Sequence, residues 1–190
     1  PGAADRAWSV PEDAPVNVRD LPLDACRPLT PDEDTVDPAA AAALPGKALL
    51  MMDRIDCYLP TGGSKGLGFI RGTKMVDPDE WFFKAHFYQD PVMPGSLGLE
   101  AFIQLLKFVC LERWPHLAET HRFEFVTNHE HEWIYRGQVV PKNRQMEVDA
   151  EIIRVEESLC PAVFADGFLK ADGIFIYEMK DFGLRMVPLG

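Results

Sequence analysis

Basic residues are scarce relative to acids: 19 Lys and Arg stand against 30 Asp and Glu, for a formal net charge of -11. Nucleic-acid binding needs clustered Lys and Arg to neutralise phosphates, so this balance argues against nucleic acid as a partner. It argues equally against docking on an anionic membrane surface. Long apolar runs are missing too. None reaches the ~20 residues of a membrane-spanning helix, and no signal-peptide pattern opens the chain. Cysteine is sparse. Cys26, Cys57, Cys110 and Cys160 lie far apart with no CxxC motif. That spacing excludes a disulfide framework or a zinc ribbon and fits reduced thiols in a cytoplasmic protein. No segment repeats at a fixed period, and strand and helix patterns do not alternate, which argues against a doubly wound parallel sheet. The chain opens on Pro1 rather than Met, as expected of a processed chain or a domain cut from a longer polypeptide.

What is present divides the chain in two. Residues 1–44 hold seven of the sixteen prolines, nine acids and three bases, a net charge of 3 − 9 = -6. Proline at that density forbids long helices and central strands, so this part reads as a Pro-rich acidic linker or wrapping arm. One short helix is expected within it, capped by Asp37 with Pro38 at its first position. Residues 45–190 have a different texture and read as one folded domain, as the 47% apolar content of the whole chain permits.

In that domain, Leu49–Leu59 and Lys65–Val76 read as strands separated by the turn Thr61-Gly62-Gly63-Ser64. An aromatic patch, Trp81-Phe82-Phe83, leads to His86, and Asp90-Pro91 and Met93-Pro94-Gly95 make a loop. A helix follows, with Ser96 as its expected N-cap and Pro115 beyond its end. Its first turns are apolar on nearly every face, so the helix should be wrapped by other structure. Five strands are expected after it, near 122–127, 132–140, 145–155, 162–170 and 174–187. Asp172-Gly173 signals a type I′ hairpin between the last two. A buried helix and a run of antiparallel strands give an α+β class, with a sheet curved around the helix.

Two ionisable residues stand out. His86 ends the aromatic patch, and Glu100 sits one turn into the apolar helix between Leu99 and Ala101. An imidazole accepts protons near neutrality. A carboxyl deprived of solvent is held protonated and can donate. Base and acid beside one pocket are what β-elimination requires. The helix start adds unpaired amides at Gly95, Ser96 and Leu97, where a developing enolate would be stabilised.

The run Ala85-His86-Phe87-Tyr88-Gln89-Asp90-Pro91-Val92-Met93-Pro94-Gly95-Ser96-Leu97-Gly98-Leu99-Glu100-Ala101 closely resembles the active-site segment of the bacterial 3-hydroxydecanoyl-carrier-protein dehydratase/isomerase family (FabA-like). Leu50-Met51-Met52-Asp53-Arg54-Ile55, Thr61-Gly62-Gly63, Trp81-Phe82-Phe83, Arg136-Gly137-Gln138-Val139-Val140-Pro141 and Ala171-Asp172-Gly173 are similar to further family landmarks, in family order over about residues 45–187. The resemblance implies a hot-dog fold, a long central helix wrapped by a curved antiparallel sheet. It implies pairing with a second hot-dog unit, either an identical chain or a neighbouring domain, so that His86 of one unit faces Glu100 of the other. The Gly95 amide would hold the thioester oxygen and the Val92 carbonyl would orient the imidazole. Phe83, Phe87, Pro94, Ser96, Phe102 and Leu106 would line the acyl tunnel.

The implied reaction is dehydration of a 3-hydroxyacyl group to the trans-2-enoyl thioester, with trans-2/cis-3 isomerisation as an optional second step. No cofactor or metal is expected, because the substrate arrives on the phosphopantetheine of an acyl carrier protein. Glu100 stands where the dehydratase/isomerase carries Asp, and Ser96 replaces a Cys. Glu matches the dehydratase-only branch (FabZ-like), so dehydration is the firmer expectation. The long acidic arm, together with the missing Met, resembles a dehydratase domain of a polyketide or polyunsaturated fatty acid synthase. Two alternatives stay open: a hot-dog thioesterase, and a non-catalytic hot-dog half that binds acyl chains. His129-Glu130-His131 places two imidazoles on one expected strand face, without a third metal ligand. Ser96 lacks the Gly-x-Ser-x-Gly elbow of a nucleophile.

Overall fold

The computed structural model describes residues 47–189, together with 16–17, 42 and 44–45. The short helix expected after Asp37 lies outside the described residues except for Ala42, whose backbone N–H donates to the His121 carbonyl over 2.6 Å.

Among the described residues, eight strands and two α-helices follow one another: β1 (Val16–Asn17), β2 (Arg54–Leu59), β3 (Phe69–Met75), α1 (Trp81–Ala85), α2 (Gly95–Arg113), β4 (His121–Phe125), β5 (Glu132–Tyr135), β6 (Gln145–Glu156), β7 (Ala162–Ala171) and β8 (Ile174–Pro188). All their pairings are antiparallel, in the order β1-β2-β3-β6-β7-β8-β4, with β5 also on β8. The 15-residue β8 accommodates both short strands, β5 along Tyr177–Lys180 and β4 along Leu184–Pro188. The expected hairpin forms as read. Asp172 (φ 49°) and Gly173 (φ 82°) both take the left-handed conformation that a type I′ turn demands.

Three expectations shift. The first strand begins at Arg54, because Lys47–Leu49 turn into a 3₁₀ helix. The aromatic patch is helical as α1, burying Phe82 and Phe83, while Trp81 donates its indole N–H to the Ala48 carbonyl (2.9 Å). β5 stops at Tyr135, five residues early, and the chain beyond it is irregular as far as Pro141.

Helix α2 lies against β3, β6, β7 and β8, the middle of the sheet. Ala101, Phe102, Ile103, Leu105, Leu106 and Val109 are buried there among Ile70, Val148, Ile152, Leu169, Tyr177 and Met179. Each such Leu, Ile or Phe contributes about 1.5–3 kcal/mol of burial. Close approach needs glycine at two points. A Cβ at Gly98 would lie 2.2 Å from Tyr177 Cε2, and one at Gly167 would lie 2.2 Å from the Asp149 carbonyl oxygen. The apolar residues of α2 are thus buried against its own sheet, as expected.

Candidate active site

The peptide after α1 turns sharply. His86 caps the helix in an extended conformation, its N–H bonded to the Phe82 carbonyl (2.9 Å), and Phe87 (φ 62°) and Gln89 (φ 63°) then adopt left-handed backbone. These reversals fold the loop 87–94 back on the imidazole. His86 Nδ1 lies 3.0 Å from the Val92 carbonyl oxygen. A carbonyl only accepts, so in the neutral ring Nδ1 carries the proton and Nε2 carries the lone pair. The loop is anchored in turn: Val92 and Met93 are buried, and the Met93 N–H donates to the Val139 carbonyl (2.9 Å). Phe87 stacks on the imidazole with centroids 4.1 Å apart and is itself exposed.

Helix α2 starts two residues earlier than expected. Its N-cap is Pro94, no side chain caps it, and its first turn carries no acid. Ser96 is an exposed residue of the first turn rather than the cap. The reason is geometric: Pro94 already has the extended conformation of a cap residue (φ -53°, ψ 133°) and the Leu97 N–H bonds to its carbonyl over 2.9 Å. No side-chain acceptor or acid offsets the partial positive charge at this helix start. Trp133 and Tyr135 of β5 close over Gly95, where a Cβ would come within 3.0 Å of Tyr135 and 3.1 Å of Trp133.

Glu100 departs from the expectation of an apolar pocket. Its Oε1 accepts from Gln104 Nε2 (3.0 Å) and from Lys107 Nζ (3.1 Å). Its side chain is 24% exposed. Glu100, Gln104 and Lys107 are spaced i, i+4, i+7 and form a polar stripe on an otherwise apolar helix. That spacing was present in the sequence as a signal for Gln104 and Lys107, and reading for apolar positions alone overlooked it. Gln104 is buried and reads the backbone of the chain entering the domain: Nε2 donates to the Leu49 carbonyl (2.7 Å) and Oε1 accepts from the Met51 N–H (2.9 Å). Among the described residues no hydrogen bond or ion pair joins His86 to Glu100 within one chain.

Comparison with known proteins decides the family. The FabA-like domain model matches residues 44–180. The chain belongs to the FabA-like domain family. A polyunsaturated fatty acid synthase polypeptide of Thraustochytrium sp. is 37% identical over 140 residues, which cover 71% of this chain and 9% of that protein. The chain thus spans about a tenth of the length of the curated relative it matches. Among solved structures, the dehydratase heterocomplex ApeI:P from Xenorhabdus doucetiae superposes with a TM-score of 0.52 over 81% of this chain and 92% of that one, at 8% identity. That likeness shows the fold, a hot-dog: one main helix held by a curled antiparallel sheet.

Within this FabA-like domain the six tunnel candidates separate. Phe83, Phe102 and Leu106 are buried in the core cluster, Pro94 caps α2, and Phe87 and Ser96 are exposed. His129 and His131 are not on a strand: they lie in the loop between β4 and β5. His129 Nε2 sits 3.0 Å from Asp181 Oδ1, and His131 stacks on Phe182. Among the described residues no group of three or more His, Cys, Asp or Glu side chains could hold a metal. Cys110 is buried in the core, as expected, and burial pushes its thiol pKa far up. No helix among the described residues is long and apolar enough to cross a membrane.

Proposed function

We propose that this FabA-like domain dehydrates a 3-hydroxyacyl thioester carried on an acyl carrier protein, giving the trans-2-enoyl thioester. The observation that carries the reading is the His86–Val92 hydrogen bond. It leaves Nε2 as the free base, held by a loop beside the uncapped start of α2. His86 Nε2 takes the proton α to the thioester carbonyl. The carbonyl oxygen, as enolate charge develops, sits at the Gly95 amide. Glu100 delivers a proton to the hydroxyl leaving C3, and water departs. The proton on His86 then returns to Glu100 to reset the pair. No redox step or cofactor enters this balance.

His86 and Glu100 have separate partners within the chain, which fits a site completed by a second hot-dog unit. The ApeI:P structure that shares the fold is itself a dehydratase heterocomplex. The synthase relative supports placement in a polyunsaturated fatty acid or polyketide synthase. An acyl carrier protein as the delivering partner, in the cytoplasm, belongs to the same proposal. Residues 1–44 then serve as a linker or arm before the catalytic domain of 45–190.

The test is incubation with a 3-hydroxyacyl thioester, followed by mass spectrometry. Loss of water is expected, reduced by roughly 10²–10⁴-fold in His86→Ala and in Glu100→Gln. Free acid as the sole product would establish a thioesterase instead, and a His86→Ala protein as active as the parent would overturn the site. Product analysis for a cis-3 alkene decides isomerisation.

A further inference from the structure

We infer that Lys107 is a positioning residue for the proton donor: together with Gln104 it fixes which oxygen of Glu100 carries the proton. This rests on the dehydratase reading above and deepens it.

Both recorded donors to Glu100 meet the same atom, Oε1: Gln104 Nε2 at 3.0 Å and Lys107 Nζ at 3.1 Å. An ammonium and an amide NH₂ have hydrogens to give and no lone pair to receive one. Oε1 must therefore be an acceptor, and in the neutral acid the proton resides on Oε2. The orientation of Gln104 is not arbitrary. Its Oε1 accepts from the Met51 N–H and its Nε2 donates to the Leu49 carbonyl, so a flipped amide would set NH₂ against N–H and oxygen against oxygen. Gln104 is thus held by the backbone of residues 49–51, and Lys107 completes the grip from the next turn of α2.

In the elimination, the Oε2–H bond breaks and its proton goes to the C3 hydroxyl. The C3–O bond breaks, water leaves, and the electron pair of the α C–H bond becomes the double bond as His86 Nε2 takes that proton. The carboxylate left on Glu100 has the Lys107 ammonium beside it, and the side chains are only 16% and 24% exposed, so water screens the pair incompletely. Lys107 touches no substrate in this scheme. Its contribution is to orient the acid and to favour the charge that appears as the acid donates, which is a transition-state effect rather than a binding effect.

The experiment compares Lys107→Met, Lys107→Arg and Glu100→Gln in the 190-residue chain, with a short 3-hydroxyacyl thioester as probe. Lys107→Met is expected to lower kcat by about tenfold or more with KM unchanged. Lys107→Arg should restore most of it, since guanidinium also donates and stays charged. In the Glu100→Gln background, Lys107→Met should cost little more, because the two act as one unit. Equal kcat in parent and Lys107→Met, with Glu100→Gln inactive, overturns the inference and leaves the dehydratase reading intact. A carbon NMR signal from the Glu100 carboxyl supplies a readout independent of turnover. It should move in Lys107→Met and stay in Lys107→Arg even if no thioester is dehydrated; an unmoved signal in Lys107→Met overturns the inference whatever the reaction proves to be.

Discussion

His86 and Val92 are joined by a hydrogen bond that only one neutral imidazole tautomer can make, Nδ1 donating to the carbonyl over 3.0 Å. The neutral ring is therefore expected to carry its proton on Nδ1. Nitrogen NMR of a histidine-labelled chain, recorded where the imidazole is neutral, checks this directly. A proton on Nε2 instead would remove the lone pair that the proposed elimination uses.

Gly98 and Tyr177 are in contact with no room to spare. A Cβ at Gly98 would lie 2.2 Å from Tyr177 Cε2 and 2.9 Å from Leu169 Cδ1. Tyr177 is 1% exposed and part of the core, so the ring has nowhere to go. Gly98→Ala is expected to destabilise the fold by about 1–3 kcal/mol through overpacking. Chemical denaturation measures it, and the penalty should shrink in a Tyr177→Leu background, where the ring is gone.

Ser96 makes the opposite prediction. As an exposed first-turn residue, Ser96→Ala should change stability by less than about 0.5 kcal/mol. A true N-cap serine would cost about 1 kcal/mol on the same change. A denaturant titration of the two proteins separates these outcomes.

Asp172 gives a pH dependence with a definite sign. Its carboxylate accepts from Asn143 Nδ2, the Arg144 N–H and the Gln145 N–H at 2.9, 2.9 and 3.1 Å. The Asn143 hydrogen bond and then the two backbone ones lower its pKa from 3.8 in the folded state. A depressed folded pKa means stability that is present above pH 3.8 and lost as the pH falls through the folded value. Asp172→Asn keeps a residue suited to the left-handed φ of 49° and removes the charge. The parent should be the more stable of the two near neutrality, with the gap closing in acid. Urea melts across pH would show a constant gap if the charge were irrelevant.

Much of the candidate site was legible because its signals are local. His86, Gly95 and Glu100 fall within one fifteen-residue run, and the type I′ turn at Asp172-Gly173 is fixed by two adjacent backbone preferences. The surroundings of Glu100 were not legible from its neighbours. Leu99 and Ala101 flank it in sequence, yet on a helix the residues that share its face are four and seven positions on, Gln104 and Lys107. Sequence adjacency suggested an apolar pocket where helical periodicity supplies two donors. Ser96 failed for a related reason: a serine before an apolar run looks like a cap, but the cap position went to Pro94, whose fixed φ already suited it.

By itself the sequence determined the seven strands β2 to β8, the helix α2 and their order, because strand and helix periods, turn residues and glycine positions act over a few neighbouring residues; it did not mark α1 or β1. It also determined which residue types meet in the motif around His86. Only the tertiary structure decided what holds the acid. The grip on Gln104 comes from the backbone of Leu49 and Met51, 55 and 53 residues away along the chain. A contact at that separation exists only once the sheet has packed on α2 and brought the segment before β2 alongside it, and no local preference encodes that meeting.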